Sequence, residues 1–205
     1  MQHLPQPDIQ FISNFDLNAE ISFSTSKKAN EMMAHSYANL YNIPCTGLRF
    51  FTVYGPWGRP DMALHIFTKA MVEDKEFEVF NNGEMSRDFT YVADIVESIK
   101  RLIPKPPVEN HPDFNIKKPT SSKSSKPYQI FNIGNNSPVA LMDFVRAIEK
   151  ALKKKGKINY KPMQPGDVKT TYANVESLFS YINFKPATNL EDGVKEFVTQ
   201  YLKLN

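Results

Sequence analysis

From about Ser24 to Asn42, Ala29, Met32, Met33, Ser36, Tyr37 and Leu40 recur at three- and four-residue spacing, which predicts a helix. Ser24 or Ser26 is the expected N-cap, and Asn42 with Pro44 supplies the stop. An apolar, β-branched and aromatic run over 46–54 follows directly and predicts a buried strand. It breaks at Gly55-Pro56 and again at Gly58 and Pro60, so the strand is expected to end in a rigid turn.

Beyond the turn, Leu64 to Glu73 carries Leu64, Phe67, Thr68 and Met71 on one side and reads as a helix. Phe77 to Phe80 alternates and meets Asn81-Asn82-Gly83, which predicts a hairpin with a second short strand, Arg87 to Tyr91. Val92 to Leu102 is helical and is closed by Pro104. Periodicity is absent over 104–127, a polar segment with six prolines and a Thr/Ser/Lys run, read as a flexible loop or a linker. Tyr128 to Gly134 reads as a strand, and Ser137-Pro138 is expected to open an amphipathic helix over Val139 to Leu152. Lys153-Lys154-Lys155 suits the end of that helix. The tail predicts a strand near 158–160, a turn at 164–167 and helices near 174–181 and 189–203. Residues 1–22 are weakly patterned; Ile9, Phe11 and Ile12 could form a short strand, followed by a turn at 13–16.

Composition narrows the function classes. The chain has 205 residues, 41 % of them apolar, and a formal charge of +3 spread over scattered lysines, so charge alone points to no nucleic-acid or anionic-membrane partner. One cysteine, Cys45, excludes an internal disulfide framework and suits a reducing compartment. The start lacks a basic region followed by an apolar run, so no signal peptide is read there, no membrane span is expected, and the cytoplasm is the expected location. Four scattered histidines offer no metal-ligand spacing, and His35 is expected on the solvent side of its helix. Neither a Gly-x-Ser-x-Gly elbow nor a Walker loop is present.

Several residues could carry chemistry. Thr52, Tyr54 and Arg59 stand at the carboxyl end of the 46–54 strand, where open α/β sheets meet their ligands, although a core strand with an ordinary surface turn fits as well. Lys27 lies in a first helical turn beside Lys28, as a solvated pair also would. Arg87 follows a tight turn, where a guanidinium can fork onto a phosphate. Asp167, in Pro165-Gly166-Asp167, could take a sugar diol or simply serve the turn.

The strings Lys27-Lys28-Ala29-Asn30-Glu31 and Thr46-Gly47-Leu48-Arg49-Phe50-Phe51-Thr52-Val53-Tyr54-Gly55-Pro56-Trp57-Gly58-Arg59-Pro60-Asp61-Met62-Ala63 closely resemble the extended short-chain dehydrogenase/reductase enzymes that act on nucleotide sugars. So do Val79 to Gly83, Arg87 to Tyr91, Tyr128 to Met142 and Gln164 to Asp167, and within that group the wording is most similar to UDP-glucuronate 4-epimerase. The resemblance covers roughly residues 23–203. It implies an α/β fold: an incomplete Rossmann-like parallel sheet, made of its C-terminal strands and helices, with a small mixed α/β substrate-binding lobe. Residues 1–75 would be a remnant of the NAD-binding domain, and 76–205 mainly the substrate lobe, with some segments returning to the sheet. The 104–127 segment would be a Pro/Ser-rich insertion of the family rather than a linker.

The resemblance further implies NAD as cofactor, a UDP-sugar as substrate, and oxidation at C4 followed by reduction on the other face. In this family a tyrosine takes the C4 hydroxyl proton, and a lysine four residues later lowers its pKa and binds the nicotinamide ribose. Lys27 matches that lysine, and the base position falls on Phe23, whose ring has no ionisable proton. The Gly-rich turn that would hold the cofactor pyrophosphate is also missing from the eight glycines. Phe50 matches a backbone contact to nicotinamide, Thr52 lies under the sugar and its carboxylate, and Arg59 and Arg87 are directed at the phosphates or the uronate. Phe80 packs along the uracil, and Asp167 meets a ribose hydroxyl.

The chain is therefore expected to be the C-terminal part of an impaired epimerase acting on UDP-glucuronate. A nucleotide-sugar 4,6-dehydratase or decarboxylase is the alternative reaction. A non-catalytic UDP-sugar-binding remnant, or one that pairs with a second chain through the helix at 26–41 as a homodimer or heterodimer, is the alternative class. Exposed apolar surface is expected to make the protein marginal or self-associating.

Overall fold

A computed structural model describes residues 20–110, 114–118, 120, 122–165 and 167–204, and the side chains from Thr25 onward. The chain forms two compact units, one of 1–49 with 101–131 and the other of 50–100 with 132–205.

In the first unit, helix α1 (Glu20–Tyr41) precedes strand β1 (Cys45–Phe50), which pairs with β5 (Tyr128–Ile133). Ala38, Tyr128 and Ile130 are buried together, with Ala34 and Cys45 packed against them. Polar contacts surround this small core. Arg49 donates from Nε and Nη2 to the two carboxylate oxygens of Glu31, at 2.6 and 2.9 Å, and Lys28 donates to the same carboxylate at 2.8 Å. The Tyr128 hydroxyl donates to the Glu31 carbonyl at 3.0 Å.

Two expectations change here. The helix begins at Glu20, so Ser24 and Ser26 lie inside it rather than capping it. His35 is half-buried instead of solvent-facing: its Nε2 lies 2.8 Å from the Ser124 hydroxyl, and its ring stands edge-on to Tyr128 at 4.9 Å. The 104–127 segment supplies that contact by folding back beside the helix, a long-range pairing that local periodicity cannot register. The strand expected near Ile9 to Ile12 lies outside the described residues.

The second unit holds the larger core. Strand β2 (Thr52–Tyr54) pairs in parallel with β4 (Ser86–Tyr91), which pairs on its other side, antiparallel, with β6 (Pro138–Ala140). Strand β3 (Glu76–Val79) pairs in parallel with β7 (Lys157–Tyr160). Helices α2 (Ala63–Val72), α3 (Val92–Leu102), α4 (Leu141–Leu152), α5 (Glu176–Ile182) and α6 (Leu190–Leu204) complete the set. Phe89 of β4 stacks on Phe144 of α4 with centroids 4.2 Å apart, and Tyr54, Phe67, Phe77, Ile148, Val194 and Phe197 are buried in the same cluster.

Three more expectations give way to tertiary pairing. The single strand over 46–54 becomes two, because β1 pairs with β5 while β2 pairs with β4. No β3–β4 hairpin forms: Asn81–Gly83 make a 3-10 turn with φ of 48°, 50° and 80°, and β3 finds its partner in β7, which leaves Phe77 and Val79 buried in the core. Pro138 begins a strand rather than a helix. It stands opposite Asp88 in β6, and α4 starts three residues later, where the Leu141 N–H donates to the Met85 carbonyl at 2.8 Å.

Candidate functional site

The break after β2 has a physical cause. Gly55 adopts φ 138°, and a Cβ there would stand 2.7 Å from Val92 and 3.0 Å from the Tyr91 ring, so only glycine fits. Trp57 follows with φ 61° and is 82 % exposed, its N–H donating to Gln200 Oε1 at 3.1 Å. This turn forms one rim of an open cleft of about 350 Å³ beyond the carboxyl end of β2. Phe89, Phe144 and Phe197 line it together with Thr52, Arg59 and His65. A largely apolar hollow with a few polar groups is the usual form of a small-molecule site.

Arg59 lies at the exposed side of the cleft and chelates Asp61, Nε to Oδ1 at 3.0 Å and Nη2 to Oδ2 at 2.5 Å. Hydrogen bonding to Arg59 holds the Asp61 carboxyl below its ordinary value of 3.8. Both groups are solvated, so this pair is a weak restraint that an incoming anion can replace.

A second polar centre lies along β4. Arg87 donates from Nη2 to Asp167 Oδ1 at 2.7 Å and from Nη1 to the carbonyls of Ser86 and Lys169, at 3.0 and 3.2 Å. Its side chain is 18 % exposed and that of Asp167 32 %, so the pair is sheltered yet reachable. Asp167 also accepts the Val168 N–H at 2.8 Å, and its own N–H donates to the Gln164 carbonyl at 3.2 Å, as a turn residue would.

The sequence-predicted residues thus fall into separate places. Thr52 and Arg59 share the cleft, while Arg87 and Asp167 share an ion pair and are not among the cleft's lining residues. Phe80 is half-buried at the entry to the Asn81–Gly83 turn. Phe50 is 51 % exposed at the end of β1. Lys27 is exposed on α1 of the first unit, and the Phe23 side chain lies outside the described ones. Sequence reasoning missed Asp88, whose buried carboxylate accepts three backbone N–H groups, and His65 on the cleft wall. The only available signal for Asp88 was its position next to Arg87. No group of three or more His, Cys, Asp or Glu among the described residues could hold a metal ion.

For NAD, the donor set is partial. No set of glycines supplies a pyrophosphate-binding turn, and Gly47 packs against Ile130, where a Cβ would stand 3.1 Å away. The residues present therefore do not fit the whole cofactor.

Comparison with known proteins matches residues 3–116 to the NAD dependent epimerase/dehydratase family. The chain is 58 % identical over 181 residues to Protein CapI of Staphylococcus aureus, covering 88 % of this chain and 54 % of that protein. It is 40 % identical over 222 residues to UDP-glucuronate 4-epimerase 4 of Arabidopsis thaliana, covering 97 % and 48 %. Among solved structures, a tyrosine-to-phenylalanine variant of UDP-glucuronic acid 4-epimerase from Bacillus cereus, in complex with UDP-4-deoxy-4-fluoro-glucuronic acid and NAD, superposes with a TM-score of 0.74 at 29 % identity, covering 89 % of this chain and 53 % of that one. The chain spans about half the length of the curated relatives it matches. The α/β architecture with parallel strand pairs agrees with this kinship. None of the helices among the described residues is long and apolar enough to cross a membrane.

Proposed function

Because the chain belongs to the NAD-dependent epimerase/dehydratase family, we propose that it carries the sugar-nucleotide side of a C4 epimerase site that takes UDP-glucuronate to UDP-galacturonate. The observation that carries this reading is the cleft beyond β2, which joins the hydroxyl of Thr52 and the guanidinium of Arg59 over an aromatic floor. In this reading Thr52 meets the sugar and its carboxylate, and Arg59 leaves Asp61 for the diphosphate, because a charge-assisted fork onto phosphate is stronger than an exposed ion pair. Arg87 and Asp167 divide the work on the nucleotide: the guanidinium faces the phosphates and the carboxylate a ribose hydroxyl. Phe80 packs along the uracil. NAD, when bound, supplies hydride transfer at C4, and in this reading Lys27 and Phe50 would meet only its nicotinamide end.

Phe23 favours a second reading, UDP-sugar binding without turnover. A phenyl ring cannot accept the C4 hydroxyl proton, so the chain as it stands is expected to bind but to epimerise little. Calorimetric titration with UDP, UDP-glucuronate and UDP-glucose tests both. Heat with the uronate above that with the neutral sugar supports the first assignment; equal heats shift the substrate to a neutral hexose; the absence of any heat removes the site. Product formation by the unaltered chain would overturn the second reading.

A further inference from the structure

We infer that Asp88 is the positioning residue of the sugar-nucleotide site, a buried carboxylate that clamps two loops to β4 and thereby sets the Arg87–Asp167 pair. Successive side chains of a strand point to opposite faces, so Arg87 faces the site while Asp88 faces inward. Asp88 is fully buried. Its Oδ1 accepts the Asn135 N–H at 2.9 Å, and its Oδ2 accepts the N–H groups of Asn136 and Ala173 at 3.0 and 3.1 Å. Two of these donors belong to the loop between β5 and β6, and the third ends the strip that begins at Asp167.

That strip is stitched to β4 along its length. The Ser86 N–H donates to the Lys169 carbonyl at 2.9 Å, the Thr171 N–H donates to the Ser86 carbonyl at 3.2 Å, and the Asp88 N–H donates to the Thr171 hydroxyl at 3.2 Å. Lys169 in turn offers its carbonyl to Arg87. The strip is therefore fixed at the Arg87 end by the ion pair and at the far end by Asp88. Gly134 completes the clamp: a Cβ there would stand 2.7 Å from the Ala173 Cβ and 3.4 Å from Asp88 Oδ2, so the close approach requires glycine. A carboxylate is the group suited to this place, because it offers only acceptors to three converging donors. An amide would keep the shape but turn an NH₂ toward an N–H.

The inference rests on the sugar-nucleotide reading for its consequence, so its test has two readouts. The first is amide hydrogen exchange of the whole chain and of Asp88→Asn. Exchange at Asn135, Asn136, Thr171 and Ala173 is expected to accelerate about tenfold or more, with amides of α4 and α6 unchanged. Uniform acceleration across the molecule, or none, overturns the positioning role. The second is UDP calorimetry on Asp88→Asn, Asp167→Asn and the double variant. Asp88→Asn alone is expected to weaken UDP about tenfold, and the double variant to be little worse than either single one, because both act through one arrangement. Additive losses, or unaltered affinity in Asp88→Asn, overturn the inference. If the unaltered chain gives no heat with UDP, the functional reading fails by itself, and local exchange still decides the clamp. Should Asp88→Asn not fold, Thr171→Val removes the hydroxyl that accepts the Asp88 N–H, one of the bonds that stitch the strip to β4, and is judged by the same local-against-uniform criterion.

Discussion

Both carboxylate oxygens of Glu31 are held by the Arg49 guanidinium, at 2.6 and 2.9 Å, so the middle of α1 is tied to β1 by a forked ion pair. Burial alone would raise the Glu31 carboxyl, but Arg49 and Lys28 outweigh it and hold it below its ordinary value of 4.5. A carboxyl depressed in the fold contributes stability above its unfolded value and loses it as pH falls through the folded one. Glu31→Gln is therefore expected to melt lower than the unaltered chain at neutral pH, by about 1 kcal/mol given the partial exposure of Arg49. Melting curves over an acid series should show the gap closing below pH 4.5, and a constant gap would mean that the pair is not the cause.

A Cβ at Gly134 would stand 2.7 Å from the Ala173 Cβ, closer than side chains pack. Gly134→Ala is expected to cost roughly 2 kcal/mol through overpacking, seen as a lower denaturant midpoint with unchanged slope. An unaltered midpoint would show that the loop can give way.

Burial, and then the neighbouring Glu31 charge, push the Tyr128 phenol up to about 12. A phenol raised in the fold contributes stability in full below its ordinary value of 10, and that contribution is lost as pH rises toward about 12. Ultraviolet titration should show a late phenolate step shared by Tyr128 and Tyr91, which is also pushed up to about 12, chiefly by burial, and Tyr128→Phe should lower its amplitude. An unchanged amplitude in that variant would mean that Tyr128 does not titrate there.

Phe23→Tyr restores an ionisable phenol four residues before Lys27. With NAD and UDP-glucuronate present, any turnover of the chain is expected to rise at least ~100-fold over the unaltered chain, read by chromatography of the products, the lower range for a positioned acid–base group. Equal rates would mean that the absent base is not what limits turnover in this chain.

The elements themselves were legible because their causes are local. The apolar spacing of α1, the alternation of β3 and the Gly-Pro break after β2 each act within a few residues, and each stands where the pattern puts it apart from the earlier start of α1 at Glu20. The helix expected at Pro138 and the β3–β4 hairpin were not, because strand pairing is a competition among distant partners that no local window contains: β7 outcompeted β4 for β3, and β4 recruited Pro138. The resemblance singled out Arg87 and Asp167 separately; only the folded chain joins them across eighty residues.

By itself the sequence determined the α/β class, the family, and the chemistry of each candidate side chain, since these follow from residue type and short-range order. Tertiary structure alone decided that Phe89, Phe144 and Phe197 line the hollow beside Thr52 and Arg59, that His35 is sheltered by Ser124, and that Asp88 is buried beneath three backbone N–H groups. The reason is that burial and hydrogen-bond partnership belong to pairs of segments, and a pair exists only once both segments have been brought together.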